Sequence, residues 1–150
     1  MKSTASPLVH FRQRSLTFGD EKSLLHLSQQ CFADCVWILL TEDDSCTPGV
    51  VLRSDPHESG PVSGGNSRWA GEASMPATPC ECLLGLRDHP LTNVLASAVA
   101  GAIQQQGERR PVLMCISVGK TARRLQTAAD RMAFVRAVKD EVLMLATGAA

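Results

Sequence analysis

Two short runs, Cys35-Val36-Trp37-Ile38-Leu39-Leu40 and Val112-Leu113-Met114-Cys115-Ile116-Ser117-Val118, constrain this chain more than any other feature, because they are apolar at nearly every consecutive position. A β-strand turns successive side chains to opposite faces, so such runs predict central strands of a sheet covered on both sides. Neither approaches the roughly 20 apolar residues that cross a bilayer, and the polar opening over residues 1–7 lacks a signal-peptide core. The expectation is a soluble intracellular protein, cytoplasmic, with a nuclear location also open.

Other elements arrange themselves around these two runs. Residues 8–18, 23–32 and 35–40 follow one another as a β-meander, with Gly19-Asp20 and Ala33-Asp34 as turns. Acidic Glu42-Asp43-Asp44 ends the third run, and Gly49-Val50-Val51-Leu52 offers a fourth. Residues 54–79 are rich in Pro, Gly and Ser and poor in branched apolar side chains, which predicts a flexible loop or insertion. Neither flank completes a core by itself, so residues 1–150 are expected to form a single domain. That size, with 44% hydrophobic residues, suffices for one continuous core.

A strand over residues 80–84 stops at Gly85, and Asp88-His89-Pro90 predicts a helix start with Asp88 as cap. Leu91, Val94, Leu95, Ala98, Ala102 and Ile103 recur at helical spacing, and Gly107 suits the end. Strand, helix and then 112–118 make a right-handed crossover unit with two parallel strands. A last helix over about 121–145 carries the stripe Leu125, Ala128, Met132, Val135, Val138, Val142 and Leu145. Arg123, Arg124, Arg131, Arg136, Lys139 and Asp140 occupy its other face. The expected class is α/β (α+β): an N-terminal antiparallel β-meander, a β-α-β crossover and a C-terminal amphipathic helix.

Tests for chemistry come out negative. Lys+Arg and Asp+Glu balance at 15 each, so no overall field draws a polyanion. Acidic neighbours interleave with the arginines of the last helix, which favours a solvated face or an acidic protein partner over phosphates. Charge is nonetheless uneven, acid-rich over 20–58 and base-rich over 108–139, which suits oriented protein docking. Of the six cysteines, Cys31 and Cys35 fit zinc-ligand spacing only loosely and flank a segment read as strand. Cys80 and Cys82 share one strand face, with Glu81 opposite; with Cys46 and Cys115, all are expected to be reduced, buried thiols.

Gly119-Lys120-Thr121 imitates the end of a phosphate loop, but Met114 stands where that motif needs its first glycine. Ser63 lacks the first glycine and the strand-to-helix turn of a nucleophile elbow. His10, His26, His57 and His89 are scattered without partners at relay or metal spacing. No catalytic, cofactor-binding or metal residue is assigned.

With the elements in order, several segments carry a resemblance: Leu8-Val9-His10-Phe11, Leu24-Leu25-His26-Leu27, Asp34-Cys35-Val36-Trp37-Ile38-Leu39, Cys82-Leu83-Leu84-Gly85, and Phe134 through Val142. In these the chain resembles the small proteasome assembly chaperone 3/4 family, its chaperone 4 branch more closely than its chaperone 3 branch. The resemblance implies a sheet-based domain with no cofactor or reaction. It also implies a heterodimer with a chaperone 3-like partner that guides α-subunits into the α-ring of the 20S proteasome core particle. One face of the sheet, or of the helix Leu91 to Ile103, would join the partner chaperone. Two alternatives compete: another interaction or scaffold subunit with a small mixed sheet, and an enzyme whose groups meet only in three dimensions, drawn from His10, His26, Glu81 and Cys82.

Overall fold

The computed structural model describes residues 9–19, 22–42, 49–56, 78–86 and 89–148. Strands β1 (His10–Phe18), β2 (Ser23–Cys31) and β3 (Val36–Glu42) form the expected meander, antiparallel throughout. Its second turn is closed by Phe32 N–H donating to the Cys35 carbonyl at 2.9 Å. Cys31 and Cys35 therefore flank a turn, not a strand. Asp20 of the first turn and most of 54–79, namely 57–77, lie outside the described residues, as do Cys46, His57 and Ser63. The predicted loop gives up Ser54 itself, which ends a strand and is fully buried.

Strands β4 (Val50–Ser54) and β5 (Glu81–Leu84), helix α1 (Pro90–Gln105) and strand β6 (Val112–Ser117) complete a six-stranded mixed sheet of order β1-β2-β3-β6-β4-β5. β6 inserts between β3, its parallel partner, and β4, its antiparallel one. β5 and β6 run in the same direction, as a crossover requires, but β4 lies between them. Entry into β4 depends on Gly49: at φ +61°, a Cβ there would sit 2.2 Å from the Ile116 carbonyl oxygen.

α1 begins with Pro90 at its first position, as expected, yet the cap is His89, whose Nδ1 accepts from Thr92 N–H at 3.4 Å; Asp88 lies outside the described residues. Gly107, at φ +92°, follows the helix end and donates to the Gln104 carbonyl. The long last helix is two helices, α2 (Gly119–Arg124) and α3 (Ala128–Thr147). Thr127 and Asp130 break it by satisfying each other's backbone N–H groups in a capping box. Its buried stripe is accordingly Phe134, Val135, Val138, Val142 and Leu145, with Leu125 buried ahead of the break, while Ala128 and Met132 are exposed.

α1 and α3 pack on the same face of the sheet. Leu25 and Leu27 of β2, Val36, Ile38 and Leu40 of β3, Leu52 of β4, and Val112, Met114 and Ile116 of β6 meet them in one core. Phe134 meets Phe18 edge to face at 5.2 Å. Arg12 donates to the carbonyls of Leu145 and Ala146, placing a cation at the negative end of α3, and Arg14 pairs with Glu141 at 2.8 Å.

Candidate functional site: the open face of the sheet

The strand register fixes what the opposite face presents. One row across the strands is Phe11, Gln30, Trp37, Leu113, Arg53 and Glu81; the next runs Gln13, Ser28, Leu39, Cys115, Val51 and Leu84. No helix among the described residues packs on it. Trp37 is 43% exposed and Leu84 62%, while Val36 and Ile38 beside Trp37 are 0% and 3% exposed on the helix side. The expectation of strands covered on both sides is thus half right. The described helices long enough to cover a sheet, α1 and α3, are both spent on one side.

The face is mixed: Gln13, Ser28 and Gln30 lie toward β1 and Arg53 and Glu81 toward β5, while exposed Phe11 and Leu84 carry apolar surface out to the two edge strands. Arg53 is held by Asp55 at 2.9 Å. Trp37 is braced from the β2–β3 turn, where Phe32 meets its ring edge to face at 6.3 Å. That turn is tied down in turn, because Arg110 donates to the Phe32 carbonyl while pairing with Glu108 at 2.7 Å. The guanidinium lowers the Glu108 carboxyl to about 2. Exposed apolar side chains interleaved with polar ones, around a braced aromatic, suit a protein-docking surface.

The residues that could have carried a reaction do not converge. His26, on β2, shares a hydrogen bond with Ser15 Oγ at 3.3 Å, and His10 lies on β1 opposite Cys31. Glu81 and Cys82 belong to β5, four strands from β2, which at about 4.8 Å per strand is roughly 19 Å. Cys80, Glu81 and Cys82 all line a polar cavity of about 380 Å³ with Asn93 and Ser97, so the cavity does not set Glu81 apart from the two cysteines as expected. Of the described cysteines only Cys115 is fully buried; the others are half-buried. Burial raises the thiols of Cys80, Cys115 and Cys35, the last with help from Asp34, which keeps them protonated and poorly nucleophilic. Among the described residues no three His, Cys, Asp or Glu side chains are grouped to hold a metal ion.

The Gly119-Lys120-Thr121 turn has a definite structural role. Glu42, buried at the end of β3, accepts the N–H groups of Lys120 (2.9 Å) and Thr121 (2.5 Å) with its two carboxylate oxygens. A carboxylate of this chain occupies the place a phosphate would take. The arginines predicted to line one helix face are dispersed by the break. Arg124 donates to Ser23 and Arg131 to the Leu125 carbonyl.

Trp37 was legible only as a core residue. The missed signal is stoichiometric: two long amphipathic helices can cover one face of a sheet, not two.

Comparison with known proteins places this architecture. The family model described as proteasome assembly chaperone 3 matches residues 62–138, just over half of the chain. A solved chain from a novel chaperone complex for yeast 20S proteasome assembly superposes with a TM-score of 0.57 at 12% identity, covering 89% of this chain and 98% of that one. At that identity the likeness is one of fold. No curated protein matches the sequence.

Proposed function

Because the chain belongs to the proteasome assembly chaperone 3 family, which is non-catalytic, we propose that this proteasome assembly chaperone pairs with a related small chaperone and helps to assemble the α-ring of the 20S core particle. The pairing surface is the open sheet face. The observation that carries this is Trp37, 43% exposed beside Leu113, in a row that also holds Gln30, Arg53 and Glu81, on strands whose other side is sealed. Burying such a row against a second sheet, about 10 Å away, removes it from water without rearranging the core. The resemblance of Asp34 to Leu39 and of Phe134 to Val142 to the chaperone 4 branch supports the chaperone 4-like half of a heterodimer, although the matching family model is that of chaperone 3.

In this proposal the polar and charged side chains outside the apolar strip address core-particle α-subunits. The protein acts where proteasomes are assembled, in the cytoplasm and the nucleus, and the segment after Ser54, up to residue 79, forms an insertion within one domain. No described helix is long and apolar enough to cross a membrane. Co-expression with candidate chaperones and α-subunits tests the function: a stable pair that also retains an α-subunit supports it, and a chain that captures neither defeats it.

A further inference from the structure

The helix layer carries a second surface, on the side of the molecule away from the open sheet face. Between α1 and α3 runs a groove of about 710 Å³. Its α1 wall contains no charged residue, since the whole of α1 (PLTNVLASAVAGAIQQ) is uncharged. Val94 of α1 and Met132 of α3 flank it, 47% and 46% exposed. Between them Ala98 keeps the wall low, while the space over Gly101 is taken by Thr78 of this chain, whose Oγ1 lies 2.9 Å from where a Cβ would stand.

Both charged residues lining the groove are cations on α3, Arg136 and Lys139, and neither makes an ion pair among the described residues. Asp140 sits further round α3 and does not line it. The accessible strip of a largely buried, uncharged helix, set against a basic wall, matches the charge depletion of an interface core beside a charged rim. From Asn93 to Gln106 the groove runs roughly 20 Å at about 1.5 Å per residue, the length of four helical turns.

We propose that this groove docks an acidic amphipathic helix of a partner protein, with apolar side chains seated between Val94 and Met132 and Asp or Glu side chains against Arg136 and Lys139. The groove stays accessible when the sheet face is covered, so the inference does not depend on what the sheet binds. Charge complementarity selects the occupant: a basic helix would face two cations with no acid lining the groove to offset them.

The test is fluorescence anisotropy of the full chain with a dye-labelled helical peptide of about 18 residues, Leu at every third or fourth position with Glu on both flanks, beside a twin carrying Lys for Glu. The Glu peptide should saturate, the Lys twin should bind at least roughly tenfold more weakly, and Arg136→Glu with Lys139→Glu should weaken the Glu peptide by a similar factor. Those two surface substitutions should leave the thermal midpoint nearly unchanged, which separates lost docking from lost folding. No saturation, equal binding of both peptides, or indifference to the charge reversal overturns the proposal. So does binding seen only after residues 58–76 are replaced by a short Gly-Ser linker, since the groove would then belong to the chain's own segment. Self-association abolished by the same reversal would assign it to a second copy and overturn it equally.

Discussion

The two faces of one sheet differ more than their sequences do. On β3 and β6 the helix-side residues Val36, Ile38, Leu40, Val112, Met114 and Ile116 are at most 4% exposed, while Trp37, between two of them in sequence, is 43% exposed. Both sets are apolar and come from the same strands. One set closes the core of this chain, and the other is covered by no helix among the described residues. An apolar run on both faces of a strand therefore signals two coverings without saying that both are intramolecular.

Substitutions on the two sides should separate these roles. On the sealed side Phe134, fully buried against Phe18, anchors α3. Phe134→Ala should lower the unfolding free energy by about 3–5 kcal/mol, measured by urea denaturation. A loss under 1 kcal/mol would mean that the helix layer is not the true core.

At the seam where β3 meets α2, Glu42→Ala strips two backbone donors of their acceptor and should cost about 1–3 kcal/mol. Hydrogen exchange at Lys120 and Thr121 should accelerate with it; unchanged protection would show that the carboxylate does not hold the turn. On the open side, Trp37→Ala should cost the isolated chain less than about 1.5 kcal/mol, because the ring is already partly in water. A loss as large as that of Phe134→Ala would erase the contrast between the faces.

The smallest effect is electrostatic. Arg110 holds the Glu108 carboxyl at about 2, below its ordinary value, so the stability it contributes is complete above about 4.5 and is lost as pH falls through about 2. Both side chains are partly exposed, which limits the contribution to less than about 1 kcal/mol. Glu108→Gln should flatten the stability profile between pH 5 and pH 2 by that amount. An unaltered profile would show that the ion pair does not secure the turn beneath Trp37.

Much of the fold was legible because local rules agreed with it. Period-two runs and turn residues gave β1 to β3, and Pro90 and Gly107 bracketed α1. What stayed hidden was lateral or tertiary. Chain order places β4 after β3, but only pairing decides that β6 slips between them, and Gly49 became informative once Ile116 was seen beside it. The break at Thr127 had a readable signal, Thr127-Ala128-Ala129-Asp130, masked by apolar periodicity that continues on either side of it. A sheet face was among the expected surfaces, but that it stays open at Trp37 was hidden for a deeper reason: this exposure depends on how many helices share the sheet, a property no local window contains.

In the proposed function a related chaperone docks on the open sheet face. Sedimentation velocity of the co-expressed pair, with Trp37→Lys and Leu84→Lys introduced together, tests it directly. The altered chain should keep its unfolding midpoint and sediment as a separate monomer, with affinity for the partner reduced at least roughly a hundredfold. A complex that survives these substitutions intact would mean that the partner docks elsewhere on the molecule.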